Sequence, residues 1–155
     1  RLSYAHIARR KVELEQLRAE AARTPGHTRP TLLEEPLFAA RLARQTIDVS
    51  ILELHVLRAL AGDMSPAAVS ALKIQCTECA QHATELFVEL AGPLASPYPP
   101  RDIPDWARVL AHTHKQAPVW LDAYLFERAQ TIYGGATEIQ KNIIWRHLQQ
   151  SGASC

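Results

Sequence analysis

Two long runs without an internal glycine or proline, 37–61 and 67–91, stand on either side of a four-residue connection that begins with Gly62. Pro36 and Pro66 each sit where a helix begins and needs no N–H, Ser65 offers a hydroxyl cap, and Gly62 and the Gly92-Pro93 pair end the runs. A connection this short forces two antiparallel helices side by side. No segment alternates apolar and polar residues with period two. The predicted fold class is therefore all-α: a single domain over 1–155, an antiparallel four-helix bundle with short extra helices.

The faces of the helices follow from their periodicity. Helix one, 2–22, carries Tyr4, Ile7, Leu14, Leu17 and Ala21 on one side, and Arg9, Arg10, Glu13, Glu15 and Arg18 are expected on a solvated outer face. The stretch 24–30, with Pro25, Gly26 and Pro30, breaks the chain. Helix two is apolar on two sides, Ala40, Ala43, Ile47, Ile51 and Leu54 on one and Phe38, Leu42, Val49, Leu52 and Val56 on the other. It should be central or lie at a subunit interface. Helix three presents Val69, Leu72, Cys76, Cys79, Ala83, Leu86 and Leu90 as a bundle seam.

Prolines 97, 99, 100 and 104 predict an extended connection over 94–105, and Asp105 caps a short helix through Trp106, Val109 and Leu110. Pro118 starts another helix, with Trp120, Tyr124 and Ala129, or Trp120, Leu121, Leu125 and Arg128, as its faces. The last helix, from Thr137 to about Gln149, is expected to bury Ile139, Ile143, Ile144 and Leu148.

Charge and cysteine usage narrow the function classes. A formal net charge of +1, with lysine and arginine interspersed among aspartate and glutamate, gives no basic field for nucleic acid or a membrane surface. No run is apolar enough to span a bilayer, and the N-terminal residues lack a signal-peptide pattern. Three cysteines make no disulfide framework, so a reducing cytoplasm is expected. Cys76, Cys79 and His82 fall on one side of helix three, but a zinc site needs a further ligand that the sequence does not supply, and core cysteines are the better reading. His112 and His114 stand two apart, on different faces.

The stretch 129–144 holds the chemistry. Gly134-Gly135 lets the backbone take positive φ, and Thr137 three residues before Gln140 is a capping-box spacing. A helix N-terminus behind a tight turn presents unpaired N–H groups to an anion or a ligand.

From Arg128 through Ile144, with Ile132-Tyr133-Gly134-Gly135-Ala136-Thr137-Glu138-Ile139-Gln140 at its centre, this stretch resembles the C-terminal signature of acyl-CoA dehydrogenases, R-x-x-x-I-Y-G-G-T-x-E-I-Q-R-N-I-I. Leu86 to Pro93 is similar to the family's Q-x-x-G-G segment. The resemblance implies the C-terminal bundle of a larger FAD-dependent enzyme, in which a glutamate takes the α-proton of an acyl-CoA, FAD accepts the β-hydride and an electron-transfer flavoprotein reoxidises it. It implies flavin contacts at Glu89 and Gly92, toward a neighbouring subunit, and at Ala136 and Glu138 within one subunit. Tyr133, Gly134 and Gly135 would face the substrate, in a homo- or hetero-oligomer.

Departures from the family pattern sharpen the reading. Glu89 replaces a neutral glutamine, Ala136 replaces a threonine, and Gly134 stands where many members carry the glutamate base. No catalytic residue is expected in the chain, which by itself should be inactive; the implied base is a carboxylate just before Arg1. The family's R-x-F-G element gives way to Arg23-Thr24-Pro25-Gly26, a divergence resembling bacterial members that act on bulky acyl-CoA compounds, some as heteromers. The alternative is a non-catalytic bundle, a subunit or interaction module that keeps only the scaffold.

Overall fold

The computed structural model describes residues 6–92 and 117–152. Five α-helices follow in order among them: α1 (Ile7–Ala21), α2 (Pro36–Leu60), α3 (Pro66–Ala91), α4 (Ala117–Arg128) and α5 (Thr137–Gly152). One-turn 3₁₀ helices sit at Leu32–Glu34 and Ala129–Thr131. No strand occurs among the described residues, only an isolated antiparallel bridge between Pro25 and Thr31. Tyr4, the connection 94–105, the short helix after Asp105, His112 and His114 lie outside the described residues.

The hairpin forms for the reasons its sequence gives. Ser65 Oγ accepts the Ala68 amide at 3.2 Å, Pro66 opens α3, and Gly62 and Gly92 take positive φ at the ends of α2 and α3. α3 is the central helix: α1, α2, α4 and α5 all pack against it. Its buried Leu72, Cys76, Cys79, Leu86, Phe87 and Leu90 meet Leu14, Leu17 and Ala21 of α1, Phe38, Leu42, Val49 and Leu52 of α2, and Trp120 of α4. The Phe87 and Trp120 rings lie 5.2 Å apart in a tilted pair. Burying each large side chain contributes about 1.5–3 kcal/mol before the entropy of ordering is charged against it.

The central place thus belongs to α3 and not to α2, which buries one apolar side and exposes the other. Ile47, Ile51, Leu54 and Leu57 remain open to solvent, Leu54 by 62%. In α5 the expected burial does not occur: Ile139, Ile143 and Leu148 are exposed, and Ile144 is half-buried. A helix buries a face only where another element covers it, and among the described residues α5 packs chiefly on α3, so its apolar stripe is left exposed there. Cys76 and Cys79 are free, buried core residues whose thiols burial pushes up to about 12 and about 11.

The largest correction is Arg10. It is 3% exposed and not on a solvated face. Ile7, Arg10, Leu14, Leu17 and Ala21 follow three- and four-residue steps, so Arg10 occupies a seam position of α1.

Between α1 and α2 the chain closes on a carboxylate. Glu35, the N-cap residue of α2, accepts the Thr28 amide, the Thr28 hydroxyl at 2.8 Å and the Arg29 amide at 3.0 Å. These donors, the Thr28 amide foremost, lower its pKa to about 2. A carboxylate depressed in the folded state contributes stability that is present above the ordinary value of about 4.5 and is lost as pH falls toward 2. Glu35→Gln is therefore expected to lower the melting temperature at pH 7, with the difference from the parent shrinking between pH 4.5 and 2; thermal melts across that range decide it, and a pH-independent difference would exclude this origin.

Candidate functional site

The turn that carries the signature is bound to the bundle through a short stretch, 127–131. Glu127 is 2% exposed, and its carboxylate lies 3.9 Å from the Arg10 guanidinium of α1. Gln130 Nε2 donates to the same carboxylate. From α3, Gln81 Nε2 donates to Glu127 O at 3.1 Å, and the buried Lys73 ammonium donates to Gln130 O at 2.8 Å. Arg128 reaches back to Glu85 at 3.0 Å and to Gln81 O at 3.0 Å, and its guanidinium stacks 4.5 Å over the Tyr124 ring. Arg128 Nε has no hydrogen-bond acceptor, and the ring face below it supplies part of the missing electrostatic contact.

Arg10 also faces Glu13 at 3.0 Å, a charge contact without hydrogen-bond alignment. Burial raises the Glu13 carboxyl above its ordinary value, against the opposing pull of Arg10 and Arg9. Burial likewise depresses Lys73. Sequence reading placed Arg10 outside and missed Lys73 and Glu127 altogether. Their signal was positional: Arg10 falls in the α1 stripe, and Glu127 stands seven residues after the buried Trp120, the true inner line of α4. Leu125, in one of the two faces proposed for this helix, is exposed.

Beyond the latch, the backbone turns sharply. The amides of Ile132 and Tyr133 both go to Ala129 O, at 3.0 and 3.2 Å, and the chain then takes positive φ at Gly134 (70°) and Gly135 (104°). A side chain at 134 would meet nothing within 4 Å, whereas a Cβ at 135 would run into the Gln140 amide. Gln140 N donates to Ala136 O at 3.0 Å, which makes Ala136 the N-cap of α5. Thr137 is thus the first helical residue and not the cap of a capping box. An alanine cap has no side-chain acceptor of its own to offer the first amides of α5. Tyr133 stands at the rim, its ring 6.2 Å from that of Phe126, and burial with the nearby Glu127 carboxylate raises its phenol.

The second group of candidates lies elsewhere. Gly92 ends α3 with a φ of 64° and open space where a Cβ would be. Glu89 is paired with Arg41 of α2, so the negative charge that replaces the family's neutral glutamine is already matched. Glu89 is sixteen residues beyond Lys73 on α3, about 24 Å at 1.5 Å per residue. The structure does not bring Glu89 and Gly92 together with 133–138; they belong to opposite ends of the central helix. At the Glu89 end the Gly92 amide is already taken by Glu89 O and Val88 O and the Glu89 carboxylate by Arg41, so no donor there is left for an anion; at the other end only Gly134 leaves open space beside the start of α5.

The family profile described as acyl-CoA dehydrogenase, C-terminal domain, matches residues 2–149. Acyl-CoA dehydrogenase IpdE1 of Mycobacterium tuberculosis is 27% identical over 118 residues, which are 75% of this chain and 27% of that protein. The crystal structure of the ChsE4-ChsE5 complex from Mycobacterium tuberculosis shares the fold, with a TM-score of 0.68 and 24% identity over 89% of this chain and 33% of the matched one. The chain spans about a quarter to a third of the length of these relatives.

Removing one member of the buried cluster leaves the others uncompensated. Glu127→Ala is expected to destabilise the chain by about 3 kcal/mol in urea unfolding, at the lower end for a broken buried pair because Glu13 still faces Arg10. The double variant Arg10→Met with Glu127→Leu should recover most of that loss.

Proposed function

Since the chain belongs to the acyl-CoA dehydrogenase family, as its C-terminal helical domain, we propose that it serves the FAD-dependent α,β-dehydrogenation of an acyl-CoA thioester by placing the flavin and the substrate and by joining protomers. The observation that carries this reading is the turn 132–136, with two positive-φ glycines, open space at Gly134 and the start of α5 behind it.

In this reading Tyr133, Gly134 and Gly135 line the acyl-CoA side of the turn, and Ala136 and Glu138 face the flavin of the same subunit. Glu89 and Gly92, at the far end of α3, face the flavin of a neighbour, with Arg41 holding Glu89 off the pyrophosphate. FAD, when bound, supplies the hydride acceptor. Gly134 holds no proton acceptor. Glu127 is enclosed beside Arg10 and Gln130, and Glu13 is engaged by Arg9 and Arg10, so neither is offered to a substrate. If the parent protein is active, its base is, by the family resemblance, a carboxylate just N-terminal to Arg1, at the head of the first bundle helix. An electron-transfer flavoprotein as oxidant, an aqueous cytoplasmic location and a homo- or hetero-oligomer belong to the same proposal; no helix among the described residues is long and apolar enough to cross a membrane. The glycine at 134 also favours a second reading, a bundle that keeps the scaffold without chemistry.

The 155-residue chain alone is expected to be helical by circular dichroism and to reduce no dye with acyl-CoA and added FAD. In the full-length protein, Gly135→Ala, strained at its positive φ of 104°, should displace the turn and lower kcat/KM by as much as about 100-fold. Wild-type turnover in that variant would remove the turn from the site. Absence of acyl-CoA oxidation by the full-length parent would favour the scaffold reading.

The exposed Ile47, Ile51 and Leu54 of α2 give the joining role its surface. Sedimentation should show concentration-dependent self-association, and Ile51→Arg should shift it toward monomer; a strict monomer at high concentration would exclude this surface as a homotypic contact.

A further inference from the structure

Lys73 is a buried cation whose named partner is a backbone carbonyl on another helix. A methionine would fill the same space without the desolvation that burial imposes on an ammonium, and burial does depress this lysine. What the ammonium does is visible at the end of α4. The helical ladder runs through the turn Ala129–Thr131 and stops when Ile132 and Tyr133 both donate to Ala129 O. The next carbonyl, Gln130 O, would take the Gly134 amide if the ladder continued. Lys73 Nζ holds it instead, at 2.8 Å. A cation at a helix C-terminus also meets the negative end of the helix dipole. Lys73 therefore caps α4 from α3.

We propose that Lys73 is a positioning residue: by holding Gln130 O it anchors the turn Ala129–Thr131 that follows α4 to α3 and so sets the path of the backbone through Gly134 and Gly135. Its value for binding rests on the reading of 132–136 as the acyl-CoA side of the site. Its effect on the turn does not. The surroundings support a fixed ammonium. Thr77 Oγ ties back to Lys73 O at 3.0 Å, and the Gln130 side chain is held by Glu127, so the carbonyl cannot swing away from α3 without breaking the buried contact to Arg10's partner.

Backbone NMR of the 155-residue chain tests this, with Lys73→Met removing the donor at equal length and Lys73→Arg retaining it. In Lys73→Met the Gly134 and Gly135 amide resonances should move, and hydrogen exchange at Gly134 should slow by about tenfold as its amide joins the ladder, while α1 and α2 amides exchange as in the parent. Lys73→Arg should restore the parent pattern. Unchanged glycine resonances in Lys73→Met, or one uniform exchange change across all helices, would overturn the proposal, the second because a purely structural residue does that. If Lys73→Met loses its helical signal, Lys73→Arg decides alone: parent-like glycine resonances support the cap, and displaced ones with a parent-like melting curve overturn it. Adding an acyl-CoA to the full-length protein, and following the same glycine amides by hydrogen exchange, separates the two readings. Glycine amides that respond to Lys73→Met but not to acyl-CoA keep the cap and remove the substrate assignment.

Discussion

Everything at the C-terminal end of this bundle depends on charges buried between α1, α3 and α4. Arg10, Glu127 and Lys73 are each almost wholly removed from water. Burying such groups costs several kcal/mol apiece, which close pairing and hydrogen bonds offset only when the geometry is good. An apolar core would hold these helices as firmly. It would not dictate their register, because apolar contacts are non-directional while a guanidinium, an ammonium and a carboxylate must meet particular atoms. The contacts to Glu127, Gln130 and Arg128 fix α4 against both α1 and α3 at one height.

That height sets the turn. With 127–131 tied at both side chain and backbone, the chain leaves α4 at a defined angle, and the two glycines carry it into α5 through conformations that L-residues resist. Space at Gly134 and crowding at Gly135 follow from the same path. Rigid support beneath an open backbone segment is what placement of a ligand requires, since loosely held groups lose much of the gain from proximity. The other candidate end, at Glu89 and Gly92, is held by a different device, a cross-helix ion pair with Arg41 that is partly solvated and correspondingly modest in energy.

Two outward apolar stripes, on α2 and α5, complete the description. Single exposed leucines are ordinary on protein surfaces, but Ile47, Ile51, Leu54 and Leu57 repeat along one helix, as do Ile139, Ile143 and Leu148 along another. α5 packs on α3, and α2 on α3, α1 and the turn Leu32–Glu34; among the described residues these two apolar stripes stay exposed.

Local rules determined the helices. Proline at 36 and 66, serine at 65 and glycine at 62 and 92 act within a turn of themselves, so their consequences could be read without tertiary knowledge, as could the seam of α3 and the glycine turn at 134 and 135. Period and capping say which residues share a face, but not whether that face is covered. Arg10 and Glu127 occupied seam positions in the sequence, yet charge argued for solvent, and only the meeting of α1 with α4 could make their burial tolerable. For α5 the error ran the other way: a regular apolar stripe found no neighbour. Thr137 moved from cap to first helical residue because the first helical bond of α5 goes to Ala136 O, a choice of carbonyl set by the backbone path out of the Gly134-Gly135 turn and not by the spacing of Thr137 and Gln140. Local physics chose the elements, and long-range contacts between charged groups far apart in sequence chose their register and therefore the shape of the candidate site.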